Sequence, residues 1–253
     1  MDKKENGLKF DVMIAICWIV IYIVLFNGAA LLSDVIGIPN LLTVVVGFFM
    51  CGFMIFILYR YKKLSYYGLN SLKNLNHFRL LLYIPMLVIA SVNIWQGFHI
   101  NDSATQIILI SLSMMCVGVL EELIFRSFLM KALLHKGPAF AIAISTLIFG
   151  LFHALNLIFG AELVPTLLQV MYSMAFGFMC CVFFYKTNNI IPCIVCHALG
   201  NILDTFLPQN TSLTFQYIGC AVMTMISIGY GLYLLLAKNL VKTNHDNNQN
   251  SVE

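Results

Sequence analysis

Charge is what this sequence has least of. Asp, Glu, Lys and Arg together make 10% of its 253 residues, where a soluble domain carries about 25%. Hydrophobic residues make 60%, and the mean hydropathy is +0.89. A soluble core has no use for so much apolar surface, so the chain is expected to be an integral, multi-pass membrane protein with the lipid bilayer as its solvent. The formal net charge of +3 is too small to suggest nucleic acid as a partner. The eight cysteines lie mostly inside apolar stretches and none clusters in an outer loop, which argues against a disulfide framework. Also missing are a His-Glu-x-x-His zinc motif and any internal repeat. The absence of inverted repeats and of Gly/Pro-broken helix pairs weakens a transporter reading.

What is present is a succession of eight long apolar stretches, at about 11–33, 41–59, 78–98, 104–130, 138–159, 163–185, 190–207 and 213–237. Each is near or above the roughly 20 residues a membrane helix needs. Without the alternation of barrel strands, they predict an all-α, polytopic helical bundle of about eight transmembrane helices. With eight crossings, Lys3, Lys4, Lys9, Arg60, Lys62, Lys63, Lys73, Arg79, Lys131, Lys136, Lys186, Lys238 and Lys242 all fall on one side. The opposite connections carry Asp34, Asp102 and Glu162 and no Lys or Arg. The positive-inside rule then places both termini in the cytoplasm. Residues 1–240 are expected to form one membrane-embedded domain, with a motif core at 104–207 and a polar, disordered tail at 241–253. The first span is too long for a signal-peptide core and is expected to be retained. The basic, aromatic stretch 60–79 reads as an anchoring belt at the inner interface.

Against this background one helix breaks the rule. Residues 119–126 read Val-Leu-Glu-Glu-Leu-Ile-Phe-Arg. An ionised side chain at mid-membrane costs about 2.5–3.5 kcal/mol on insertion scales, so Glu121, Glu122 and Arg126 need partners or a purpose. Glu122 and Arg126 are spaced i, i+4 and share a face. Glu121, about 100° away around the helix, is free to point into the bundle as a base. Later stretches carry Phe149-Gly-Leu-Phe-His153 and His197-Ala-Leu-Gly-Asn201. Each alone is explained as well by packing or by polar contacts between helices. Together they set a base, two histidines and an amide on three spans. By helix rise Glu121 lies about 15 Å from Lys131, His153 about 22 Å from Pro138, and His197 about 16 Å from Lys186, which are compatible depths. Gly200 is expected to let another helix approach closely. Cys193-Ile-Val-Cys196-His197 matches a c-type haem attachment string. It sits inside a span, however, and its histidine belongs to the third motif.

Glu-Glu-x-x-x-Arg, then Phe-x-x-x-His, then His-x-x-x-Asn, in this order on successive apolar helices, resembles the CAAX protease and bacteriocin-processing family. This is the family of the type II CAAX prenyl endopeptidase, also called Abi or lysostaphin-resistance-like. The resemblance implies an intramembrane endopeptidase acting on a membrane-associated protein or peptide, in CAAX-type processing, bacteriocin maturation or self-immunity. It gives Glu121 as the base that activates a water, with His153 positioning that water. His197 and Asn201 would stabilise the oxyanion, while Glu122, Arg126 and Phe149 support the site. The family is often labelled metalloprotease. Glu121, His153 and His197 could offer three zinc ligands, or act without metal, the reading preferred here. Two other classes stay open: a transporter or proton relay, since intramembrane Glu and His also serve that purpose, and a non-catalytic immunity protein. A bacterial cell membrane is the expected location.

Overall fold

A computed structural model describes residues 3–71, 82–100, 102–208 and 211–237, with backbone alone for 3–9 and 96. Lys73, Arg79, Lys238, Lys242 and the tail 241–253 lie outside the described residues. The described chain is helical, with no strand. In order, α1 spans Lys3–Ile36, α2 Leu41–Arg60 and α3 Ile84–Ser91, the last continued by a 3-10 turn at Val92–Gln96. Next, α4 spans Ala104–Glu122 and runs on without a break through a π-helical segment, Leu123–Met130, to Lys136. Then come α5 Pro138–Phe152 with a 3-10 turn at His153–Leu157, α6 Leu163–Thr187, α7 Ile191–Asp204 and α8 Leu213–Leu236.

The helix starts follow ordinary local chemistry. Ser103 and Ser212 accept hydrogen bonds from the Gln106 and Phe215 amides at 3.2 and 3.3 Å, capping α4 and α8. Proline occupies the first turn of α3, α5 and α7, where its missing N–H has no partner to lose.

All eight expected segments are helical within the described residues, but they are not alike. Six are long and apolar enough to cross a membrane; Ile84–Trp95 and Ile191–Asp204 are shorter. The third stretch is cut short by Asn93, Gln96 and Gly97, the last with φ 93°. The seventh starts where expected, with Asn189 Oδ1 accepting from the Ile191 amide at 3.0 Å, and ends early, at Asp204. Exposed apolar side chains such as Val24, Leu31 and Val35 on α1, and Met225 and Leu236 on α8, form the surface a bilayer covers.

The two ends of the bundle sort as the charges require. Asn188, in the left-handed conformation at φ 48°, gathers three connections. Its side chain donates to Ser65 O at 3.1 Å and accepts from Lys131 Nζ at 2.7 Å, and its carbonyl accepts from Asn70 Nδ2 at 2.6 Å. Lys186 Nζ reaches Leu235 O at 3.1 Å, bringing the end of α8 to the same place. Here too Lys63 and Lys131 lie over the Tyr66 ring at 5.1 and 4.7 Å, an interfacial cluster of the expected kind. Burial, with Tyr66 and Asp11 beside it, pushes the Tyr67 phenol up to about 12. At the far end, the His99 amide donates to Phe206 O at 2.9 Å and joins the ends of the α3 and α7 segments.

At the centre lies the π segment, all eight of whose residues are buried, Arg126 and Ser127 included. A π turn is wider than an α turn and occurs frequently at functional sites. Neighbouring hydroxyls hold it: Ser145 donates to Phe125 O and Ser127 to Tyr67 O, both at 2.7 Å. At Gly118 α4 approaches the α7 backbone closely, where a Cβ would stand 2.7 Å from Ala198 N. At Gly200 a Cβ would meet only Ala90 Cα at 3.9 Å, an ordinary contact. The close approach expected at Gly200 is instead made at Ala198, by Gly118 of α4.

Candidate active site

Glu121 and Glu122 close the α-helical part of α4, immediately before the π segment. Both are buried, Glu121 at 3% exposure and Glu122 at 0%. Glu122 Oε1 lies 3.1 Å from Arg126 Nη1, the expected i, i+4 pair. The guanidinium is fully buried, and its carbon stands 3.8 Å from the centre of the Phe149 ring, a desolvated cation–π contact. None of the three guanidinium nitrogens has a well-aimed hydrogen bond, so charge and the aromatic face hold this arginine more than directional bonding does.

From α7, His197 enters between the two carboxylates. Its Nδ1 is 2.9 Å from Glu122 Oε1, and its Nε2 is 3.6 Å from Glu121 Oε2. The first is a hydrogen bond. The second is too long for one. One ring thus links both glutamates, which the sequence had set apart, one for structure and one for chemistry. Phe149 fixes the ring's attitude edge-on, with centroids 5.8 Å apart and planes at 88°, and Phe176 packs on it at 5.3 Å. Phe149 also stands edge-on to His153, at 5.2 Å and 85°. A single phenyl group therefore backs Arg126 with its face and neighbours both histidines.

His153 lies where α5 tightens from an α to a 3-10 turn, and its buried Nε2 has no hydrogen-bond partner. Asn201 follows His197 by one turn of α7, is half-buried, and makes no side-chain hydrogen bond among the described residues. Glu121 is held by a residue the sequence did not reveal. The Tyr22 hydroxyl, from α1, donates to Glu121 Oε1 at 2.9 Å. That leaves Glu121 Oε2 buried and without a partner. A buried carboxylate oxygen left unsatisfied is costly and asks for an explanation.

Of the possible zinc set of Glu121, His153 and His197, Glu121 Oε2 and His197 Nε2 lie 3.6 Å apart. Among the described residues, the three potential donor atoms gathered within 4.8 Å belong to Glu122, Cys180 and Cys193. That carboxylate is already held by Arg126 and His197. Cys193 Sγ lies 3.8 Å from Cys180 O, and Cys196 Sγ 3.1 Å from Met86 O. In the Cys-x-x-Cys-His string both cysteines thus pack on neighbouring backbone, and His197 is engaged by the glutamates.

What the arrangement offers is a carboxylate with a free oxygen, a histidine oriented by a second carboxylate, a further unpartnered imidazole nitrogen and an amide one turn away, all in low dielectric. Comparison with curated proteins and with solved structures finds no match. Among protein families, the model described as "Type II CAAX prenyl endopeptidase Rce1-like" matches residues 103–203, from the cap of α4 to the last turn of α7. That stretch contains all three motifs, and over it the chain is similar to the type II CAAX prenyl endopeptidases.

Proposed function

We propose that the protein hydrolyses a peptide bond of a membrane-associated protein or peptide by a metal-free mechanism in which Glu121 activates a water. The observation that carries this is the orphaned Oε2 of a carboxylate whose other oxygen is already taken by Tyr22. Oε2 takes a proton from the water as its oxygen bonds to the scissile carbonyl carbon. His153 Nε2, also unpartnered, orients that water. Glu122 on Nδ1 orients the His197 ring so that Nε2 faces the developing oxyanion, and the Asn201 amide supplies a donor beside it. The proton held by Glu121 then passes to the departing amide nitrogen as the carbon–nitrogen bond breaks. Arg126 balances the charge of Glu122. In this reading the substrate is presented at the membrane, in CAAX-type processing, bacteriocin maturation or immunity.

The test is Glu121→Gln, which keeps the shape and an acceptor for Tyr22 but removes the base. Purified protein in detergent, given a fluorogenic farnesylated CAAX peptide, should lose activity while keeping its thermal midpoint. Full turnover by this variant would end the proposal.

A further inference from the structure

Tyr22 stands outside everything the family match covers. It lies on α1, 81 residues before the matched stretch begins at 103, yet its hydroxyl makes the sole side-chain hydrogen bond to Glu121 among the described residues. We infer that Tyr22 is a positioning residue for the reaction. By holding Oε1 it fixes which oxygen of Glu121 takes the proton, and where that oxygen points.

Three observations carry this. First, the contact is built rather than incidental. Tyr22 is 6% exposed and Glu121 3%, and their 2.9 Å bond crosses between helices whose residues lie 99 positions apart. Second, the Tyr22 ring is locked before its hydroxyl is considered. It stacks on Phe152 at 5.8 Å and 22°, and leans on Phe26 at 5.4 Å. Phe152 is the residue next to His153, so the same ring abuts the helix end that presents the second histidine. Third, the bond divides the carboxylate. Oε1 is occupied by Tyr22, while Oε2 faces His197 Nε2 at 3.6 Å and has no partner. Without the hydroxyl, no other side-chain hydrogen bond among the described residues restrains rotation of the carboxylate, and Oε1 could turn toward the histidine in place of Oε2. Displacements of about 1 Å at a reacting group cost as much as 10²-fold in rate.

This inference rests on the reading of Glu121 as the base, and the experiment separates the two. Tyr22→Phe removes the hydroxyl and keeps the ring between Phe26 and Phe152. With the farnesylated CAAX peptide, it should lower kcat roughly tenfold, the worth of one hydrogen bond to a charged group. KM should not change, and the thermal midpoint should fall by less than in Tyr22→Leu. Tyr22→Leu, which also loses the ring contacts, should lower the midpoint as well. A second readout needs no turnover. The parent-minus-Glu121→Gln infrared difference spectrum assigns the carboxylate band of Glu121, and Tyr22→Phe should shift that band. If Glu121→Gln is inactive while Tyr22→Phe keeps its kcat or leaves the band in place, the role of Tyr22 is overturned alone. A loss confined to KM or to the midpoint overturns it equally. If Glu121→Gln is fully active, both readings fall together.

Discussion

Replacing Arg126 by Met tests how the buried charges are balanced. Arg126 is fully buried, and so is its partner Glu122. Met fills much of the same volume and keeps an apolar stem, so the change is chiefly loss of charge. It leaves Glu122 in the core with only His197 Nδ1, at 2.9 Å, and it strips the cation from the face of Phe149. Removing one member of a buried pair costs about 3–5 kcal/mol, because the other charge is left uncompensated. The lower part of that range is expected, since His197 remains to share the carboxylate. In a mild detergent the unfolding midpoint should fall clearly, by thermal scan and by titration with a denaturing detergent. The second half of the test is the double variant Glu122→Gln with Arg126→Met. Gln keeps an acceptor for His197 Nδ1 and carries no charge, so more than half of the lost stability should return. A single variant as stable as the parent would refute the reasoning. So would a double variant no better than the single one, because the cost would then lie in shape, not charge.

Other outcomes follow from the packing and the donor set. Gly118→Ala puts a Cβ 2.7 Å from a backbone nitrogen that cannot yield, and should destabilise by about 1–3 kcal/mol; Gly200→Ala, with 3.9 Å of room, should leave the thermal midpoint where it was. Dialysis against a strong chelator should leave peptidase activity intact, and so should the double variant Cys180→Ser, Cys193→Ser; activity lost to the chelator and restored by zinc would speak for a metal mechanism instead.

The sequence carried far on matters that depend on helical spacing alone. Eight helices, a common end for the basic connections, and the Glu122–Arg126 pair all follow from hydropathy, charge sidedness and the i, i+4 rule. The three motifs converge for the same reason, since each lies on one face of its own helix. What stayed hidden depends on how helices meet. Tyr22 in an apolar run is indistinguishable from a lipid-facing aromatic until α1 is docked against α4. His197 reaching both glutamates needs the approach at Gly118, whose neighbour Ala198 is 80 positions away. The π segment has no sequence signature; its wider turn is maintained by tertiary contacts, among them the Ser145 hydroxyl on Phe125 O. The shortness of α3 was partly visible, in Asn93, Gln96 and Gly97, but a long apolar run hid that of α7.

That shortness matters for the supply of the second reactant. The 14 residues of α7 rise about 21 Å, against a hydrocarbon layer of roughly 30 Å. A helix of that length cannot touch both membrane surfaces. Beside it, headgroups and the aqueous phase must come inward by about 9 Å in all, and α3, packed on it, is shorter still. His197 sits six residues from the start of α7, about 9 Å of rise. On the proposed function each bond cut consumes one water, and the two abbreviated helices would thin the barrier that this water has to cross.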